Sequence, residues 1–251
     1  MGIHDGTGDI DCSNMGLTSL DGCPEIIEGT FICSDNFLSS LEGGPTITGN
    51  FDCSNNILSS LEGAPRKVAG NFNCSGNRLT SLIGSPMKAK GSFNCSDNLL
   101  LSLKGAPRKV HGLFDCSGNI LVALEGAPIE TGAFDCSNNR LATLDGAPDE
   151  VHSDFLCNGN RLVSLAGTPD FVHGNFSCAD NCLENLKHGP VEVSGNYDCS
   201  DNSITTLKHT PKHIGGVFDC AGNTMLTCGM VDSSTSSVIT APLPGNFQEA
   251  V

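Results

Sequence analysis

The chain has 251 residues, including 30 glycines, 12 prolines, 14 cysteines and no tryptophan, and carries a formal net charge of −15. So strong an acidic balance argues against direct binding to nucleic acid, whose phosphates recruit lysine and arginine. No apolar run approaches the roughly 18 residues of a membrane span, and residues 1–9 are too short and polar for a secretory leader, which points to a soluble, cytoplasmic chain with no membrane contact.

One motif recurs eleven times from residue 8 to residue 228. Its marker is a cysteine: Cys12, Cys33, Cys53, Cys74, Cys95, Cys116, Cys136, Cys157, Cys178, Cys199 and Cys220. Eight of the ten steps between them are 21 residues and two are 20, the short ones ending at Cys53 and Cys136. Each short copy lacks one residue between its proline (Pro45, Pro128) and the next phenylalanine, which places that stretch on a loop-like side of the coil. A fixed period of about 20 residues marks a solenoid, and stacked coils escape the size limit on a single compact core.

Within a copy, an aromatic stands two residues before the cysteine (Phe31, Phe51, Phe72 and onward, with Tyr197 near the end and Ile10 at the start). The spacing of two directs both side chains to one face of a short strand. Two aliphatics follow at five and eight residues, as in Leu79 and Leu82, and a Val or Ile often precedes the strand, as in Val68 and Val110. One coil cannot bury this set, whereas a stack makes it a continuous apolar spine.

Asparagine is third after the cysteine in ten copies, from Asn36 to Asn223, with Met15 in the first. A buried amide there both donates and accepts toward neighbouring coils, forming a ladder. Glycine stands two residues before the aromatic in ten copies, Ser153 being the exception, so a side chain would hinder a close approach there.

The segment Phe72-x-Cys74-x-x-Asn77-x-Leu79, with Leu82 after it, resembles the leucine-rich repeat L-x-x-L-x-L-x-x-N-x-L. Within that family it is similar to the short bacterial class of 20 to 22 residues found in secreted effectors, and its Leu-x-Gly-Ala-Pro wording resembles repeat proteins of large bacteriophages. The resemblance implies a β-rich solenoid of about eleven coils, with one parallel sheet on the concave face and non-helical or 3₁₀ convex segments. It also implies a protein partner, which in the phage case is a host factor that the chain blocks. Effector ligases of this class carry a separate catalytic domain, for which this chain has no room. With no nucleophile–histidine pair in register, no phosphate loop and no Cys-x-x-Cys pattern, the chain reads as non-enzymatic, with no cofactor.

In the implied fold, the residues flanking the aromatic and the cysteine face outward. Their four columns hold twelve aspartates and no lysine or arginine. Basic residues sit elsewhere, as in Arg66-Lys67 and Arg108-Lys109 after the prolines or Arg78, Arg140 and Arg161 beside the asparagines. Aspartates on adjacent strands repel and are poor strand formers. Three readings remain open: a basic protein partner, plain solubility, or calcium, for which Asp198, Asp201 and Asp219 are candidates although no known calcium motif is present. Leu113, Ala133 and Leu156 form an apolar island in the acidic surface, which resembles an interface core with a charged rim. The candidate partner-binding residues are Asp52, Asp115, Asp135, Asp198, Asp201 and Asp219 with Leu113 and Leu156. An acidic face of this kind can also mimic DNA and occupy a basic groove.

The cysteine ladder reads as reduced core residues, since in-register parallel strands bridge poorly. Cys228 takes an aliphatic slot, and Cys23 and Cys182 lie off the interior columns. His152 and His173 share one column, while His188 and His209 replace a turn glycine; paired histidines can share a metal, but no third ligand is evident in the sequence, and exposed turn residues are the simpler reading. The organisation expected is a solenoid over 1–228, with 1–9 as its N-terminal cap, and a C-terminal cap or tail over 229–251, where Met225, Val231, Val238 and Ile239 can seal the spine. The alternative to partner recognition is a structural or virion component that packs through the solenoid ends or that tail.

Overall fold

A computed structural model describes residues 7–223 and the backbone of Val238–Ile239. Eleven parallel strands, running from Ile10–Asp11 to Phe218–Asp219, stack in chain order as one sheet, one strand per sequence repeat. Register is kept column by column: Ile10 lies opposite Phe31, Phe31 opposite Phe51, and so on to Tyr197 opposite Phe218. The connecting segments are turns and bends, with no α- or 3₁₀-helix among the described residues. The expected parallel solenoid is therefore present, and its return segments are non-helical.

The core is a set of side-chain columns rather than a centre. Every ladder cysteine, every strand aromatic from Phe31 to Phe218 and the Leu pairs of coils two to nine are buried. Successive aromatic rings lie 5.0–6.0 Å apart between centroids, from Phe31–Phe51 to Tyr197–Phe218, within the range where ring pairs attract beyond their buried area. All thirteen described cysteines are free thiols. In seven of them the Sγ lies within 3.1–3.4 Å of a backbone carbonyl on the next strand, as in Cys12 to Ile32 O and Cys53 to Asn73 O. Burial pushes the ladder thiols above their ordinary range, to about 11 even at the terminal Cys12, so they are poor nucleophiles.

The asparagine column makes the ladder expected of it. Asn98 Nδ2 donates to Cys74 O of the preceding coil and to Cys95 O and Ser96 O of its own, while its Oδ1 accepts from Leu79 N. The same arrangement recurs from Asn36 to Asn223.

Beside the main sheet a second set of β-bridges runs in two stretches, through Thr48, Val68, Ala89, Val110, Thr131 and Val151, and through Val172, Val193 and Ile214. The column these residues form explains the two short coils. In 21-residue coils one residue (Ala69, His111 or His173, for example) stands between this column and the strand glycine; in the 20-residue coils Thr48 and Thr131 abut Gly49 and Gly132 directly. The strand Glu130–Asp135 therefore runs unbroken, and its partner Lys109–Asp115 makes up the difference with a bulge between Val110 and Leu113. Both threonines are fully buried, and neither hydroxyl has a hydrogen-bond partner.

Apart from Gly8 and Gly16 in the first coil, positive φ among the described residues falls on two columns. One is the Gly-x-Pro turn, where Gly63 is at +84° and Gly105 at +97°; His188 (+63°) and His209 (+72°) hold the same conformation and are exposed. The other lies two residues after each cysteine, where only Asn, Asp and Gly occur, as with Asp35 at +55°, Gly76 at +64° and Asp201 at +52°. These residue types tolerate the left-handed region.

Met225, Cys228 and Val231 lie outside the described residues, as do most of 229–251 and residues 1–6 of the expected N-terminal cap. The backbone of Val238–Ile239 pairs antiparallel with Phe218–Asp219.

Two substitutions test these assignments. Thr131→Val removes an unpartnered buried hydroxyl and is expected to raise stability by about 1 kcal/mol in denaturant titration. Asn98→Ala leaves three carbonyls and one N–H without their partner and is expected to cost about 3 kcal/mol in the same measurement.

Candidate functional site: the strand face

The outward columns of the sheet are held by hydrogen bonds that the sequence did not reveal. In the column before each aromatic, a side-chain oxygen accepts from a backbone N–H of the next coil: Asp9 from Thr30, Asn50 from Asn71, Asn71 from Ser92, Ser92 from Leu113, Asp154 from Asn175, Asn175 from Asn196 and Asn196 from Val217, at 2.7–3.1 Å. In most coils the glycine column leaves room for these side chains; at Gly49 and Gly132 the close atoms are backbone carbonyls of the preceding coil instead. A Cβ on Gly70 would lie 2.1 Å from Asn50 Oδ1, and one on Gly91 2.1 Å from Asn71 Oδ1. The one departure from glycine, Ser153, stands where the preceding coil presents Ala133, which has no side-chain oxygen to accommodate.

The middle column has its own role. Asp52, Asp115, Asp135, Asp198 and Asp219 each accept the N–H two residues on, from Ser54, Ser117, Ser137, Ser200 and Ala221, at 2.9–3.0 Å. These Asx turns close the strand as it leaves the sheet. Asn73 and Asn94 do the same for Ser75 and Ser96 at 3.1 and 2.9 Å. The turn therefore does not require a charge.

The charges nevertheless face one another. Asp115 lies directly opposite Asp135, and Asp198 opposite Asp219. Burial, with Asp115 alongside as a smaller contributor, pushes the Asp135 carboxyl above the ordinary value of 3.8 against the pull of the Ser137 hydrogen bonds. Leu113 is exposed and pairs with Ala133, and Leu156 is half-buried opposite Asp135. The predicted residues thus share one surface, on which the apolar island adjoins the Asp115–Asp135 pair. Asp201 is the outlier: it is exposed in the left-handed turn beyond the strand. A shallow hollow nearer the N-terminus is lined by Thr30, Ile32, Asn50, Asp52, Asn71 and Asn73, with amide groups in place of most of the acids.

Asp198, Asp201 and Asp219 do not bring three ligand atoms within 4.8 Å of one another, which leaves the calcium reading without a cage. The described His, Cys, Asp and Glu side chains that do converge so closely are Glu130, Glu150 and His152, beside the short coil. His152 Nε2 lies 3.4 Å from Glu130 Oε1. Sequence reasoning found no third ligand for His152 because Glu130 and Glu150 are brought beside it by the register of adjacent coils. The group is open to solvent, and the ammonium of Lys109 already pairs with Glu130, which together with His152 holds that carboxyl below its ordinary value.

The stacked parallel strands, the asparagine ladder and the single repeated coil define a leucine-rich-repeat solenoid. Two solved structures are similar to it: YopM from Yersinia enterocolitica WA-314, 19% identical, with a TM-score of 0.42 over 81% of this chain and 62% of that one; and YopM from Yersinia pestis, a leucine-rich effector protein, 18% identical, with a TM-score of 0.62 over 87% of this chain and 69% of that one. The likeness to the second establishes the fold. This chain spans less than two thirds of the first structure and slightly more of the second. No protein-family model and no curated protein sequence matches it.

The raised Asp135 pKa gives a signed prediction. The folded state holds this proton more tightly than the unfolded state, so ionising Asp135 lowers stability as pH rises above 3.8. Asp135→Asn keeps the Ser137 turn and is expected to melt above wild type at pH 7, with the gap closing as pH falls toward 3.8. An equal gap at both pH values would contradict the assignment.

Proposed function

We propose that the chain is a non-enzymatic protein-recognition module that holds a basic partner against its strand face. The observation that carries this reading is the redundancy of the charge. Asn73 and Asn94 make the same turn as the aspartates, yet Asp115–Asp135 and Asp198–Asp219 stand opposed at a repulsive cost. A cationic surface laid across them relieves that repulsion. The hydrogen bonds to Ser117, Ser137 and Ser200 hold the carboxylates in place beforehand, which lowers the ordering cost of binding. Leu113 and Leu156 supply the apolar contact, and Asp52 and Asp201 extend the charged rim.

The Yersinia pestis neighbour is described as an effector. By that likeness, and by the phage-like wording of the repeats, the partner is a protein of another cell, which the chain blocks by occupying a basic surface. The alternative is a structural component that packs through the solenoid ends or the C-terminal tail; the antiparallel strand Val238–Ile239 on the C-terminal sheet edge disfavours packing through that edge.

The test uses aspartate-to-asparagine changes, which keep the turns and remove the charge. A variant carrying Asn at 52, 115, 135, 198 and 219 is expected to fold with unchanged or higher melting temperature. In capture from cell lysate, wild type should retain a basic protein that the variant loses and that salt releases. Retention of the same proteins by both would end the proposal.

A further inference from the structure

The flank of the solenoid just beyond the asparagine ladder carries an exposed apolar patch with its own charge pattern. Two columns cross it, at four and six residues after the cysteine. The six-residue column begins with Thr18, Ser39, Ser59 and Thr80, becomes Leu101, Val122, Ala142 and Val163, and reverts to Glu184 and Thr205. Leu101, Val122 and Val163 are 59, 63 and 64% exposed, and Leu99 in the neighbouring column is 47% exposed, beside Ile120. Serine and threonine occupy the same positions elsewhere, so the coil does not need apolar residues here. Backbone hydrogen bonds fasten the patch across coils, from Leu99 N to Leu79 O and from Val163 N to Ala142 O.

The charges of the patch are basic. Arg78, Arg140 and Arg161 share the four-residue column with Leu99 and Ile120, and all three are exposed. The ion pairs among the described residues involve Lys104, Lys109 and His152, so none of these arginines has a carboxylate partner there. From Gly118 to Leu124, Asn138 to Leu144 and Gly159 to Leu165, Arg140 and Arg161 are the only charged side chains. In a chain of net charge −15, a contiguous apolar surface bordered by unpaired arginines is the reverse of the strand face.

We propose that this flank is a second docking surface, and that its occupant is an acidic, amphipathic segment of a protein partner. Apolar side chains of the segment cover Leu101, Val122 and Val163, and its carboxylates pair with Arg140 and Arg161, which suit bidentate contact. A contiguous exposed patch of this kind marks an interaction site more often than scattered exposed leucines do. The two faces then bind partners of opposite charge, and the solenoid bridges them.

The probe is a fluorescein-labelled amphipathic helix with leucine on one face and glutamate on the other, read by anisotropy, beside a counterpart with lysine replacing glutamate. Wild type is expected to bind the glutamate peptide. Val122→Ser with Val163→Ser, and separately Arg140→Glu with Arg161→Glu, should each weaken it by about tenfold or more. All four positions are exposed, and melting curves confirm the fold of each variant. Asp115→Asn with Asp135→Asn should leave this binding unchanged, which separates it from the strand-face proposal. Binding that neither flank variant alters would overturn the inference, as would no binding of the glutamate peptide. A concentration-dependent dimer that Val122→Ser with Val163→Ser abolishes would also overturn it, by showing that a second copy covers the flank.

Discussion

Each coil is tied to the one before it by a buried amide that has no alternative partner. From Asn36 to Asn223, the asparagine third after the cysteine spends both hydrogens on three carbonyls and its oxygen on an N–H of the preceding coil, as at Asn98. At this corner the chain leaves the strand, and its backbone groups would otherwise be buried without partners. With the ladder in place, the strands stack in register, the aromatic rings align and the cysteines fit beneath. The rest of the structure follows from the repeat distance the ladder imposes.

The outward face obeys the same economy. Asn, Asp and Ser before the aromatic reach forward one coil to an N–H, and glycine opposite makes room for them. Where Leu113 and Ala133 replace these polar residues, the backbone ladder itself runs through, in the long strands Lys109–Asp115 and Glu130–Asp135. The apolar island and the longest strands therefore coincide, beside the short coil that lets Glu130–Asp135 run unbroken. Residues that look like a binding surface in the sequence are first of all the means by which coils are joined. Function is then sought in what the joining does not demand: the charge on Asp115, Asp135, Asp198 and Asp219, and the exposed aliphatics beside Arg140 and Arg161.

The two proposed surfaces divide the electrostatics of the chain. Carboxylates are concentrated on the strand face, and three of the five arginines, Arg78, Arg140 and Arg161, lie along the flank next to an apolar stripe. A rigid stack of identical coils keeps these surfaces apart, since side-chain direction repeats from coil to coil. A compact globular chain of the same composition would mix the two signs.

The architecture was legible in the sequence because a solenoid is set by nearest neighbours. Phe72, Cys74, Asn77 and Leu79 announce their slots by period alone, and each packs on its own copies a fixed distance along the chain. The site was legible only in part. The columns containing Asp115 and Leu113 could be placed on one face by alternation, but the turns their neighbours close, the positive φ of Asp201 and the opposition of Asp115 to Asp135 are geometric. The convergence of Glu130, Glu150 and His152 was hidden for a similar reason: it depends on the register of adjacent coils. Periodicity determined which residues are inside. Tertiary structure decided what the outside residues hold, because their partners lie one coil away and their conformations depend on how closely the coils approach.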